Sequence, residues 1–188
     1  LQTAVADITD EQILALVKEA GQQERGFRLL LQKYQERLYW HIRHMVVEHE
    51  DANDVVQNCF IKVFRGIQRF EGKSALYTWL YRIATNESIS FLKKKKKRSA
   101  DSLDQEALQV AERLTADVYF DGNAIQLALQ KAIQQLPEKQ RIVFQMRYFQ
   151  EMSYQQMSEV LGTSVGGLKA SYHHAVKKVE RSLTEFEG

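Results

Sequence analysis

Residues 153–183, SYQQMSEVLGTSVGGLKASYHHAVKKVERSL, decide how the rest of the chain is read. Ser153 is placed to cap a short helix whose Met157, Val160 and Leu161 face inward. Gly162 supplies a left-handed turn residue, and Thr163 or Ser164 caps a longer helix carrying Leu168, Tyr172, Ala175, Val176 and Val179. A short helix, a glycine turn and a second helix match the helix-turn-helix, whose second helix enters the DNA major groove. The outward residues of that helix are Gly167, Lys169, Ala170, Ser171, His173, His174 and Lys177. The competing reading of the same pattern is an αα-hairpin with no DNA role.

Upstream, Ile125, Leu129, Ala132 and Ile133 give an amphipathic helix, followed by Leu136-Pro137-Glu138 with Pro137 at a favoured first-turn position. The next helix spans 141–149, with Ile142, Val143, Met146 and Phe149 inward. Before this block the charge changes sign. Residues 99–124 hold one Arg against six Asp and Glu, whereas 1–98 hold 17 Lys and Arg against 12 acids and 125–188 hold 8 against 6. The expected organisation is therefore an N-terminal domain over 1–98, an acidic linker over 99–124 and a C-terminal domain over 125–188. Leu103, Leu108, Val110 and Leu114 leave open a short helix within the linker.

The N-terminal part reads as four helices. Thr9 or Asp10 caps the first, with Ile13, Leu14, Leu16 and Val17 on its apolar face and Gly21 as its stop. The second carries Phe27, Leu30, Leu31, Tyr34, Leu38, Ile42, Met45 and Val46 in steps of three and four. The third runs from Asp51 or Asn53 to Arg65 with Val56, Cys59, Phe60, Val63 and Ile67 inward. Its outer surface holds Asp51, Asp54, Val55, Gln57, Asn58, Ile61 and Lys62. Two readings of that surface stand: a solvated face and a docking face for a partner protein. The fourth starts at Ser74 and passes through Leu76, Leu80, Ile83 and Ala84 to Phe91. With a single Pro and no period-two alternation, the fold class is all-α in two helical domains.

The fourth helix ends in Lys93, Lys94, Lys95, Lys96, Lys97 and Arg98. Six consecutive cations suit a polyanion, and four to six phosphate contacts imply a log–log salt slope on the order of −4 to −5. A solubilising tail is the alternative. Just before them, Phe64, Phe70, Tyr77, Trp79 and Tyr81 interleave with Arg69, Lys73, Arg82 and Asn86. Aromatic faces beside cations are what a single-stranded nucleic-acid site uses, since stacking an unpaired base is worth about 1–3 kcal/mol. Most of these rings also fit a core.

Several classes are excluded. No apolar run reaches the roughly 20 residues of a membrane-spanning helix, so no membrane insertion is expected. One cysteine, Cys59, rules out an internal disulfide framework and reads as a buried small hydrophobe. Residues 1–20 lack a secretory signal pattern, and the expected compartment is the reducing cytoplasm. His41, His44 and His49 with Glu48 are read as core or surface groups rather than metal ligands. No catalytic triad, phosphate-binding glycine loop or dinucleotide fingerprint occurs, so neither an enzyme nor a cofactor is expected.

Two stretches, DANDVVQNCFIKVFRGIQRFEGKSALYTWLYRIATNESISFLKK (51–94) and LPEKQRIVFQMRYFQEMSYQQMSEVLGTSVGGLKASYHHAVKKVE (136–180), in this order resemble a bacterial sigma factor of the extracytoplasmic-function class. The resemblance implies a subunit that binds core RNA polymerase, directs it to promoter DNA and helps melt it. It implies polymerase contacts at Asp54, Val55, Gln57 and Phe60. It implies −10 contacts at Phe70, Lys73, Trp79, Arg82, Asn86, Lys93 and Lys94, with Phe70, Trp79 and Asn86 at the pocket for a flipped base. It implies −35 contacts at Ser164, Gly167, Lys169, Ser171, His173, His174 and Lys177. It further implies an anti-sigma factor as an inhibitory partner, and a linker that threads the polymerase. One departure stands out: relatives often carry Thr-Val-Lys-Ser-Arg where this chain has Gly167, Leu168, Lys169, Ala170 and Ser171, with His174 for a later Arg. Two expected phosphate or guanine contacts are thus missing, and His173 and Lys177 are the available substitutes. The rival function is a free-standing helix-turn-helix regulator that binds duplex DNA on its own.

Overall fold

In the computed structural model, which describes residues 8–98 and 124–187, helix α1 (Asp10–Lys18) starts where Thr9 closes a capping box. The Gln12 N–H donates to Thr9 Oγ1 at 3.2 Å and the Thr9 N–H donates to Gln12 Oε1 at 2.9 Å, satisfying two otherwise orphaned donors. Ile13 and Val17 bury the inner face of α1 against α2 (Gln23–Val46). The crossing is close: a Cβ on Gly26 would stand 2.6 Å from the Val17 nitrogen, so only glycine fits. Asp10 locks the pair, accepting from Lys33 Nζ at 2.7 Å and from the Tyr34 hydroxyl at 2.8 and 2.7 Å. Burial, reinforced by Asp10, raises the Tyr34 phenol well above its ordinary range, so it stays a donor.

A tight turn at Val47 (φ 72°, ψ −44°), closed by the Glu48 N–H on the Val46 carbonyl at 2.9 Å, leads into α3 (His49–Gly66). A single 3₁₀ turn, Ile67–Arg69, follows, and then α4 (Leu76–Arg98). Buried polar side chains tie α4 to α2. The Thr85 hydroxyl donates to the Tyr81 carbonyl at 2.7 Å, so it accepts from His41 Nε2 at 2.9 Å, which puts the imidazole proton on Nε2. Ser88 donates to the Ala84 carbonyl in the same buried layer.

Two expectations for this half change. Val55 belongs to the core stripe Ala52, Val55, Cys59, Val63, not to the outer surface of α3, because α3 turns that stripe inward; Val56 is only partly buried. Helix α4 begins at Leu76, and its first turn closes from the Trp79 N–H to the Ala75 carbonyl, so the cap position falls one residue after Ser74. The apolar positions of the helix stop near Phe91, while the helix itself runs on through the cations to Arg98, as the sequence reading has it. Lysine and arginine are good helix formers, and Lys95 to Arg98 at the last turn face the negative end of the helix dipole.

The C-terminal helices are α5 (Ala124–Gln134), α6 (Glu138–Tyr148), α7 (Tyr154–Leu161) and α8 (Val165–Glu187). Helix α8 packs on the other three, around Ala132, Ile133, Leu136, Phe144, Ala175 and Val179. Met146, Met152, Met157 and Leu168 are fully buried beside them, filling the space under the helix-turn-helix. Helix α6 starts three residues before the expected Arg141, which makes Pro137 its N-cap rather than its first-turn residue; the Arg141 N–H donates to the Pro137 carbonyl at 2.9 Å.

Among the described residues there are eight α-helices and no strand, an all-α chain with two helical domains. The chain divides into two compact units, Leu1–Phe91 and Leu92–Gly188. The acidic linker expected over 99–124, with its possible short helix, lies outside the described residues except for Ala124.

Candidate polymerase and nucleic-acid interface

The outer surface of α3 carries Asp54 and Gln57, both exposed, then Ile61 at 43% and Phe64 at 58% exposure. Steps of three and four put these four on one stripe. Val55 and Phe60, at 1% and 8%, turn into the bundle, so of the four residues assigned to polymerase only Asp54 and Gln57 offer surface. The apolar side chains that this stripe does expose are Ile61 and Phe64. Phe64 meets Phe27 of α2 edge-on at 5.0 Å between ring centroids, which holds a large apolar side chain in water at low entropic cost. Sequence periodicity placed Ile61 outward but treated Phe64 as one of a run of rings; nothing local marks it as exposed.

The aromatic site stands where the 3₁₀ turn meets α4. Phe70 is 8% exposed and packs on Trp79 with ring centroids 5.2 Å apart at 46°. Trp79 is partly exposed and lies over Gly66, where an added Cβ would come within 3.1 Å of its Cζ2. Glycine at the end of α3 thus makes room for the indole. The Phe70 carbonyl accepts from Lys18 Nζ at 2.9 Å, a contact across 52 residues that sequence reading missed. Gly72 (φ 73°) turns the chain after it, and Lys73 is ion-paired to Glu71. Along α4, Trp79, Arg82 and Asn86 follow one another in steps of three and four, and the same helix ends in the cations Lys93 to Arg98. Arg82, Asn86, Lys93, Lys94 and Lys97 are exposed, whereas Lys95 is partly buried.

In the helix-turn-helix, Ser153 accepts from the Gln156 N–H at 3.2 Å while Gln156 Oε1 accepts from the Ser153 N–H at 2.8 Å, a second capping box. Gly162 adopts the left-handed conformation (φ 64°, ψ 25°) that ends α7. Ser164, not Thr163, caps α8, accepting from the Gly167 N–H at 3.2 Å. Lys169, His173, His174 and Lys177 are exposed on α8, and Ser171 is half-buried. Lys169 Nζ stands 5.8 Å from the centre of the Tyr154 ring and the Arg147 guanidinium 5.4 Å from it. Arg147 also donates to the Met152 carbonyl at 2.9 Å. Tyr154 and Arg147 therefore join the basic face, a pairing invisible in sequence because α6, α7 and α8 meet there only on folding.

The histidines divide by environment. His41 is buried on Thr85; His49 Nδ1 meets the Tyr39 hydroxyl at 2.8 Å and its Nε2 meets the Asn53 amide at 3.0 Å. Burial, with Arg43 adding to it, pushes His44 down to about 4, so it is neutral at pH 7. Burial raises the Cys59 thiol to about 12, leaving it without thiolate character. Among the described residues no group of three or more His, Cys, Asp or Glu is placed to hold a metal ion. No helix among them is long and apolar enough to cross a membrane.

Residues 30–98 match the family Sigma-70 region 2 and residues 126–179 match Sigma-70, region 4. The two helical units with these matches define a sigma factor carrying regions 2 and 4. The chain is 32% identical to RNA polymerase sigma-H factor of Pseudomonas aeruginosa, over 94% of this chain and 96% of that one. It is 30% identical to ECF RNA polymerase sigma factor SigW of Bacillus subtilis, over 85% and 90% of the two chains. The fold matches the sigma factor RpoE solved in complex with the anti-sigma factor NepR from Bartonella quintana, with a TM-score of 0.68, 20% identity and coverage of 85% of this chain and 98% of that one. The chain belongs to the extracytoplasmic-function RNA polymerase sigma factors, which direct promoter-specific transcription initiation.

Proposed function

We propose that the two units divide the work of initiation: the first docks on core RNA polymerase and captures an unpaired −10 base, and the second reads the −35 duplex. The observation that carries this is the pairing of a packed, partly exposed indole beside a cationic helix with an exposed basic recognition helix in the same chain. Polymerase docks on the α3 stripe of Asp54, Gln57, Ile61 and Phe64, where two exposed apolar side chains lie one helical step apart beside polar ones. The base stacks on Trp79, with Asn86 and Arg82 toward its edge and the backbone beyond it, while Lys93, Lys94 and Lys97 hold phosphates. Helix α8 presents Lys169, His173, His174 and Lys177 to the major groove and its flanking phosphates. The chain is a binding subunit rather than a catalyst, and it works in the cytoplasm beside polymerase.

An anti-sigma partner is part of this proposal. The Bartonella relative is held by one, and the Ile61–Phe64 surface is apolar enough to serve an inhibitor that competes with polymerase. In vitro transcription with core enzyme, with and without this chain, tests the whole: initiation at specific sites only when the chain is present supports it. Tight site-specific duplex binding by the chain alone, with no initiation, overturns it in favour of a free-standing regulator.

A further inference from the structure

We infer that α1 is a strut that positions the base-capturing loop, with Lys18 as the positioning residue; this rests on the −10 reading of Phe70 and Trp79 given above. Helix α1 precedes the stretch matched to sigma region 2, which begins at residue 30. Its docking is nevertheless stringent at both ends. At its start Asp10 is held by Lys33 and Tyr34, and Lys33 also donates to the Ile8 carbonyl at 2.9 Å. One residue before its end Val17 lies so close to α2 that Gly26 has no space for a side chain. At its end Lys18 Nζ donates to the Phe70 carbonyl at 2.9 Å in a part-buried setting.

That last contact fixes one particular peptide. The Phe70 N–H already donates to the Ile67 carbonyl at 3.1 Å, so Lys18 completes a grip on both sides of the residue. Beyond Phe70 the chain enters exposed Glu71 and left-handed Gly72, with no helix until Leu76. The ammonium is therefore the last anchor before the loop, and the Phe70 ring it orients is the one that supports Trp79 at 5.2 Å. A cation donating to a carbonyl makes a charge-assisted bond, roughly twice as strong as a neutral one.

The test uses the full chain assembled with core polymerase, on a promoter that the unaltered holoenzyme opens. Lys18→Met, Lys18→Arg and Trp79→Ala are compared by permanganate reactivity of unpaired thymines, by affinity for the single non-template −10 strand, and by affinity for core polymerase. Lys18→Met is expected to weaken strand capture about tenfold, the scale of one charge-assisted hydrogen bond. Core affinity should stay within about twofold, and Lys18→Arg should restore capture, since a guanidinium also donates to the carbonyl. Unchanged opening in Lys18→Met beside blocked opening in Trp79→Ala overturns the strut and leaves base capture standing. A parallel loss of core affinity and melting temperature that Arg does not restore overturns it as ordinary destabilisation. Full opening by Trp79→Ala overturns base capture itself and the strut with it.

Discussion

The two proposed nucleic-acid surfaces are prepared in opposite ways. In the first, the contact group is sunk into the fold: Phe70 is buried, Trp79 is half-spent on it, and the peptide before the loop is gripped from both sides. In the second, the contact groups stand off a rigid helix, and the exposed cations of α8 meet neighbours chiefly at Tyr154. The difference follows from the substrates. An unpaired base is flexible and must be caught on a preformed surface, whereas a duplex is already rigid and needs only correctly spaced donors.

The largest expected effect separates the units by stability. Leu168→Ala empties a fully buried site beneath the recognition helix and should cost about 2–5 kcal/mol. Denaturation followed by α8-specific hydrogen exchange should show protection lost in the C-terminal unit and kept in α2 and α4. Equal loss in both would mean that the two cores fold as one.

Acid should do the reverse. His44 is held neutral by burial, with a folded pKa near 4 against about 6.5 in the unfolded chain. The unfolded state therefore binds the extra proton first, and this contribution is full above about pH 6.5 and disappears as pH falls through about 4. The shift corresponds to up to about 3 kcal/mol. The two histidines of the C-terminal unit, His173 and His174, are exposed, so that unit buries no histidine. Urea melts at pH 7 and pH 4.5 should show the first unit losing more, and His44→Gln should flatten its pH dependence.

Smaller effects sharpen the functional contrast. Trp79→Ala should remove about 1–3 kcal/mol of stacking, slowing strand opening by tenfold or more without altering −35 duplex affinity. Replacing Lys93, Lys94 and Lys97 with Ala should make the salt slope of holoenzyme binding shallower by about 2–3. Lys169→Ala should change that slope by only about 1, measured on a −35 duplex, and it should alter base preference if the residue reads an edge.

Much of this was legible in the chain itself. Thr9, Ser153 and Ser164 cap helices because a hydroxyl next to orphaned N–H groups needs no tertiary help. Gly162 ends α7 for the equally local reason of a left-handed backbone. The inward phase of α3 was less legible. A stripe through Val55 and one through Val56 both keep helical spacing, and only the positions of α2 and the 3₁₀ turn choose between them. Phe64 was similarly ambiguous, since the same residue type fills cores and docking faces.

Composition, periodicity and capping by themselves determined an all-α chain, its helix-turn-helix and the cationic end of α4, because those depend on residues within a turn or two of each other. Tertiary structure alone decided that Lys18 would reach Phe70, that Arg147 and Lys169 would both meet the Tyr154 ring, and that His41 would be buried on Thr85. Such pairs are separated by up to 52 residues. No local preference can encode them, because the chain must first bury its apolar stripes before distant polar atoms are brought within a hydrogen bond of one another.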